Sequence, residues 1–183
     1  MELREKSKIM DAGEIEETLC RIAREIIEKF KMTDDLVVIG IRTRGAHLAE
    51  RIVKEIEGIA GVSVPLGILD ITLYRDDLTV IASQPVIHST DIPFDLERKK
   101  VILVDDVLYT GRTMRAGIDE LMDFGRPRLV QVAVLIDRGH RELPIRADYV
   151  GKNVTTSENE MVEVQIDEVD GKEQVIIVEK VEK

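Results

Sequence analysis

The stretch Val101-Ile102-Leu103-Val104-Asp105-Asp106-Val107-Leu108-Tyr109-Thr110-Gly111-Arg112-Thr113 joins four branched aliphatics to two acids and then to hydroxyls around a glycine. Four such aliphatics in a row read as a strand buried on both faces, as in parallel sheets covered by helices. Apolar residues then recur at helical spacing from Met114 to Phe124, so strand, loop and helix follow in that order. In an open parallel sheet ligands bind beyond the carboxyl ends of the strands, which places the loop after Val104 at a crevice. Two adjacent carboxylates there are costly to bury unpaired and should face a cation or hydroxyl donors. Thr110 to Thr113 add hydroxyls, a flexible glycine and N–H groups at a helix N-terminus, where the dipole favours phosphate. Acids for sugar hydroxyls beside amides for a phosphate describe a ribose 5-phosphate site. Gly40 and Gly45 have the spacing of a P-loop, but Ala46-His47 follow where Lys and a hydroxyl are needed, and no G-x-G-x-x-G is present. An ordinary βα turn with a helix cap would account for Thr110 and Gly111 but not for the acid pair.

The same alternation extends outward. Asp11 to Glu14 has the form of a capping box, and Ile15, Leu19, Ile22, Ala23, Ile26, Ile27 and Phe30 recur at helical spacing. Leu36 to Ile41 reads as a strand, Arg42-Thr43-Arg44-Gly45 as a turn, and Leu48 to Ile56 as a helix. Val62 to Leu73 reads as extended and Leu129 to Ile136 as another apolar strand. Asp76 to Arg98 is polar, broken by Pro85 and Pro93, and too long for an ordinary connection, so it is either a β-hairpin or a mobile lid. From Asp137 to Asn153 the pattern becomes irregular and basic. Met161 to Ile166 and Gln174 to Val178 look like a terminal hairpin around Asp170-Gly171. This is an α/β pattern with a mostly parallel sheet flanked by helices. The 183 residues are expected to form a single domain, with a core over about 14–136, a lid over about 75–98 and a hood over about 137–183.

The net charge of −10 argues against a general nucleic-acid coat or a membrane-surface protein. It is unevenly spread: residues 158–183 hold nine acids against three lysines, while 126–152 hold five arginines and a lysine against three acids. The acidic tail reads as a solvated edge. The single cysteine, Cys20, cannot form an intrachain disulfide and has no recognisable partner base, and no Cys and His cluster has zinc-ligand spacing. His140 reads as a hydrogen-bonding residue of the hood. With no membrane span and no leader pattern, a cytoplasmic setting is expected.

The aliphatic run, the two acids and Val107-Leu108-Tyr109-Thr110-Gly111-Arg112-Thr113 resemble the phosphoribosyl pyrophosphate (PRPP) signature of the type I phosphoribosyltransferases. Asp70-Ile71-Thr72-Leu73-Tyr74-Arg75-Asp76-Asp77-Leu78 and the run from Asp137-Arg138-Gly139-His140 through Arg141-Glu142-Leu143-Pro144 to Ile145-Arg146-Ala147-Asp148 resemble one family closely. That family is PyrR, the bifunctional pyrimidine-operon regulators and uracil phosphoribosyltransferases. The likeness runs from about residue 14 to Asp170.

The resemblance implies the type I phosphoribosyltransferase fold with a small hood and a C-terminal β-hairpin, and transfer from PRPP to uracil giving UMP and diphosphate. Asp105 and Asp106 would hold the ribose hydroxyls and Thr110 to Thr113 the 5′-phosphate. Thr43-Arg44 would form the pyrophosphate loop, with Arg44 stabilising the departing diphosphate, and Arg75 would close over it. Arg138 would sit near the base, with main-chain groups around Val162 reading the uracil edge. Mg²⁺ would bridge diphosphate and ribose hydroxyls, touching Asp105 and Asp106 through water. Purine relatives commonly carry an acid where this chain has Tyr109; a phenol, with an ordinary pKa of about 10, is a poor general base near neutrality, which favours a pyrimidine. The family also binds a hairpin in the pyr leader mRNA and promotes attenuation when UMP or UTP is present. Arg21 and Arg24 on the first helix, with Arg141, Arg146 and Lys152 in the hood, are the RNA-contact candidates, although an exposed ion-paired face explains the first two equally well. Cys20 and Arg24 fall where relatives often carry Thr and His. A dimer or tetramer is implied. A transferase without an RNA role, an RNA regulator using the pocket only as a sensor, and a transferase for another base are the alternatives.

Overall fold

The computed structural model describes residues 2–31, 33–71 and 90–181. Their elements are β1 (Glu2–Met10), α1 (Ala12–Phe30), β2 (Leu36–Ile41), α2 (Arg44–Ala60), β3 (Leu66–Leu69) and β4 (Lys100–Leu108). After them come α3 (Arg112–Asp123), β5 (Leu129–Asp137), β6 (Tyr149–Asn153), β7 (Glu160–Gln165), α4 (Asp167–Asp170) and β8 (Gln174–Val181).

Five strands form a wholly parallel sheet in the order β3-β2-β4-β5-β6. Because side chains alternate across a strand, the apolar runs feed two cores. Val38, Ile102, Val104, Ala133 and Leu135 pack with Ile15, Ile22 and Ile26 of α1 and Leu48, Ile52 and Ile56 of α2. Val37, Ile39, Ile41, Val101, Leu103, Val132 and Val134 face the other way, against Met114 and Leu121 of α3 and Leu96. Each such aliphatic side chain contributes about 1.5–3 kcal/mol on full burial. The capping box on α1 is present: Glu14 N–H donates to Asp11 Oδ1 and Asp11 N–H to Glu14 Oε2, both at 2.9 Å.

The expected terminal hairpin exists, with Gln165 opposite Gln174 and the turn made by α4 and Gly171 at φ 62°. Two local expectations change, one strand was not foreseen, and one segment is described only in part. Glu2–Met10, charged at nearly every second position, is a strand paired antiparallel with β8 in the sheet β1-β8-β7. Tyr149–Asn153, inside the segment read as irregular, is the fifth parallel strand, beside β5. Of Val62 to Leu73, only Leu66–Leu69 is strand, and 72–73 lie outside the described residues. Of the 76–98 segment, residues 90–98 are described and pack on the body: Ile68 and Asp91 exchange two backbone hydrogen bonds at 2.8 Å, and Leu96 is fully buried.

The acidic tail is not a solvated edge. Arg44 pairs with Asp170, Arg51 with both Glu168 and Glu173, Lys6 with Glu160, and Arg4 with Glu179. Glu160 and Glu179 lie directly opposite on β7 and β8, a like-charge pair that would weaken the ladder. The cations of β1 offset it: Arg4 stands opposite Glu179, and Lys6, at a register shift of β1, reaches across to Glu160.

Lys6 and the Ser157 N–H hold the buried Glu160 carboxyl down to about 2, from its ordinary 4.5. A depressed carboxyl adds stability above its unfolded pKa and loses it as pH falls through the folded one. Wild-type melting temperature should therefore drop between pH 4.5 and 2 more steeply than that of Glu160→Gln. Thermal melts across that window check this, and parallel curves would refute the assignment.

Candidate active site

The carboxyl ends of β2 and β4 meet where glycine permits backbone to touch backbone. A Cβ on Gly45 would stand 2.7 Å from the Val104 carbonyl and 3.0 Å from Asp105 Cα, so the start of α2 lies directly on the acid pair. β4 continues through Asp105, Asp106 and Val107 to Leu108, pairing Asp105 with Val134 and Leu108 with Asp137. The loop therefore begins at Tyr109, later than the aliphatic run indicates. Asp105 is 7% exposed and its Oδ1 accepts the Asp106 N–H at 2.9 Å; Asp106 Oδ1 accepts the Val107 N–H at 2.8 Å. Gly111, at φ 92°, turns the chain into α3, and Thr110 Oγ1 accepts the Arg112 N–H at 3.3 Å. Thr113 lies half-buried in the first turn of α3. Among the described residues no three His, Cys, Asp or Glu side chains converge on one point. Two neighbouring carboxylates fit a Mg²⁺ that keeps waters and takes its other ligands from substrate oxygens.

In the turn after β2 the Arg42–Thr43 peptide bond is cis and Thr43 is exposed. Arg44, expected at the diphosphate, is already engaged: its Nε and Nη2 donate to Asp170 Oδ2 and Oδ1 at 3.0 and 2.7 Å. Asp170 raises the Arg44 guanidinium further above its ordinary value, with smaller contributions from Asp106 and Glu163; Arg44 in turn holds Asp170 below the usual carboxylate range. Arg42 was not singled out by sequence, although it belongs to the same turn. Its Nε is buried without a hydrogen-bond partner.

Arg138 is 6% exposed, and burial lowers its guanidinium from the ordinary value. Nε donates to Thr156 Oγ1 at 3.1 Å and Nη2 to the Glu160 carbonyl at 2.7 Å, while Cζ lies 4.0 Å from the Tyr109 ring centroid. This cation–π contact ties the loop after β4 to the start of β7. Val162 sits half-buried on β7 opposite Ile177. His140 meets the Tyr109 ring edge-on and its Nε2 donates to the Thr156 carbonyl at 2.6 Å, in keeping with a hydrogen-bonding role.

The RNA candidates do not form one set. Arg141 turns inward, its guanidinium spent on Asp137 and on the Tyr109 carbonyl. Arg21 donates to the Gly151 and Val150 carbonyls at 2.6 and 3.2 Å and pairs with Glu25. Arg24 shares with it a groove of about 520 Å³ lined also by Glu16, Glu17, Cys20 and Glu55. Glu55, then burial, push the Cys20 thiol up, which disfavours the thiolate. Arg146 is exposed, and Lys152 donates to the Ile9 carbonyl at 2.8 Å with its side chain outward. Arg112 pairs with Glu142. Arg75 lies outside the described residues.

Comparison with known proteins agrees with this architecture. A phosphoribosyl transferase domain model matches residues 6–169. A protein named Bifunctional protein PyrR from Pelotomaculum thermopropionicum is 62% identical over 179 residues, covering 98% of this chain and 99% of that one. Its namesake from Thermus aquaticus is 57% identical over 178 residues, covering 97% and 98%. Among solved structures, a hypoxanthine-guanine phosphoribosyltransferase from Bacillus anthracis superposes with a TM-score of 0.71 at 18% identity, covering 98% of this chain and all of that one. The hypoxanthine phosphoribosyltransferase of Trypanosoma cruzi gives 0.74 at 20% identity, covering 95% of each chain. At such identities the likeness is one of fold.

The contact at Gly45 makes a testable demand. Gly45→Ala should force β4 and α2 apart, lowering the melting temperature by several degrees, of the order of a 1–3 kcal/mol overpacking cost. A melting temperature equal to wild type would show that the strand ends tolerate separation.

Proposed function

Because the chain belongs to the phosphoribosyltransferase-domain family and, within it, to the bifunctional PyrR proteins, we propose that it joins uracil to the ribose 5-phosphate of PRPP, and that uridine nucleotide in the same crevice governs its binding to the pyr leader mRNA. The observation that carries the transferase reading is the acid pair at the end of β4, Asp105 buried and Asp106 half-buried, beside a loop that opens a helix. In the reaction uracil N1 bonds to C1′ as the C1′–O bond to diphosphate breaks, and the N1 proton passes to solvent.

Each part of the site has a task in that exchange. Asp105 and Asp106 accept hydrogen bonds from the ribose hydroxyls and hold negative charge beside an anomeric carbon that gains oxocarbenium character. Amides and hydroxyls from Thr110 to Thr113 bind the 5′-phosphate at the start of α3. Arg44 and the Thr43 amide serve the diphosphate. For this the guanidinium either shares Asp170 with the substrate or exchanges it, leaving Nη1 as the arm outside the bidentate pair. Arg138 and Tyr109 border the base, with the β7 main chain near Val162 as the edge that reads uracil. Asp105 and Asp106 would hold Mg²⁺ through water, and the ion would supply positive charge to offset the diphosphate that the acid pair otherwise repels.

For the regulatory activity, Arg24, Arg146 and Lys152 are the exposed groups placed to meet phosphates or unstacked loop bases, and Arg21 joins them with its outward face. No helix among the described residues is long and apolar enough to cross a membrane. The cytoplasmic location and the dimeric or tetrameric assembly implied by the resemblance belong to the same proposal.

Two measurements test it. Asp105→Asn with Asp106→Asn should abolish PRPP-dependent conversion of uracil to UMP while the thermal melt stays cooperative; retained turnover would overturn the site assignment. Filter binding of leader RNA should tighten with UMP, and Arg146→Ala and Lys152→Ala should each weaken it and lower the salt slope by about one. An affinity indifferent to UMP and to both substitutions would leave a transferase without an RNA role, and RNA binding without turnover would leave a sensor.

A further inference from the structure

We propose that Arg141 is a positioning residue of the phosphate-binding loop, fixing the loop's carbonyls on one side so that its amides face the 5′-phosphate on the other. The inference rests on the transferase reading above. In a trans peptide unit the C=O and N–H point in opposite directions, and the loop's peptide bonds are trans. The carbonyls of Leu108, Tyr109 and Thr110 are all taken by the segment after β5. Leu108 accepts the Arg138 N–H at 3.1 Å, and Thr110 accepts those of Glu142 and Leu143 at 3.0 and 3.2 Å. Tyr109, between them, is held by a side chain, Arg141 Nη1 at 2.6 Å. The N–H groups of Tyr109, Thr110 and Gly111 therefore turn away from that segment together, which is how successive amides make an anion-binding concavity.

Arg141 suits this task through its fork. Nη2 is fixed by the Asp137 carboxylate at 2.7 and 2.5 Å, and Asp137 stands on β5 directly opposite Leu108. One arm is thus anchored to the rigid sheet while the other holds the loop. The aliphatic stem lies against Gly111, with Cδ 3.8 Å from the position of a Cβ there. A lysine carries the charge but not the fork, and cannot hold both partners in a fixed plane.

The test is steady-state kinetics with PRPP and uracil varied separately, for wild type, Arg141→Gln and Arg141→Lys, with calorimetric titration of UMP in parallel. Arg128→Gln, an exposed arginine at the opposite end of the sheet, is the control. Arg141→Gln should raise the KM for PRPP roughly tenfold and weaken UMP as much, with the KM for uracil within about twofold. Arg141→Lys should fall between, and it alone decides the matter if the glutamine variant does not fold. Wild-type KM for PRPP in the folded variants, an equal rise in both KM values, or a loss confined to kcat would overturn the proposal. If the wild-type chain turns over no uracil, the transfer reading fails and the UMP titration still decides: unchanged affinity in Arg141→Gln overturns the positioning role, and about tenfold weakening supports it.

Discussion

A parallel sheet buried on both faces has nowhere to put polar chemistry except at the ends of its strands. Here β2 is apolar throughout, β4 is apolar from Val101 to Val104 and β5 is apolar from Val132 to Ile136, and the first carboxylates on β4 appear at Asp105, toward its carboxyl end. Backbone approach then decides how tightly the site can be built. Gly40 and Gly45 let the turn after β2 lie against its own helix and against β4, so that backbone approaches backbone beside the acid pair. The loop after β4 depends on the same economy. Its carbonyls, from Leu108 to Thr110, are satisfied by residues 138–143.

The net charge of −10 looked at first like an obstacle to binding anions, but its distribution is structural. Carboxylates of the last two strands and the turn between them, Glu160, Asp170, Glu173 and Glu179 among them, close on cations from β1 and α2, so the C-terminal acids fasten a small antiparallel sheet to the body. Arg44 is one of those fasteners and also opens α2 directly after the turn that follows β2. Two guanidiniums therefore link the strand-end loops to the C-terminal segment, Arg44 through Asp170 and Arg138 through the Glu160 carbonyl and the Tyr109 ring.

Much of this was legible in the residues. The capping box of α1, the apolar run of β2, the alternation of strand and helix, and the β7–β8 hairpin all rest on local patterns strong enough to survive tertiary context. β1 was not legible because its apolar residues are few and Leu3 is 52% exposed; a backbone ladder and two ion pairs to residues more than 150 positions away hold it, and no local period records them. β6 was hidden by its shortness and by the basic residues around it. The acid pair and the hydroxyl loop announced themselves by composition. The bracing by Arg141 did not, since an arginine in a basic run reads the same whether it faces solvent or a carbonyl.

β6 closes one side of the parallel sheet, and such an edge offers unpaired acceptors to any strand that drifts past. Arg21 occupies the Val150 and Gly151 carbonyls from α1, and Lys152 is itself tied to Ile9. Thr18 packs so near Gly151 that a side chain there would collide with it. An arginine that looks available for RNA thus also keeps the sheet from growing by a strand of another molecule. Its loss should first be felt as a tendency of the protein to aggregate.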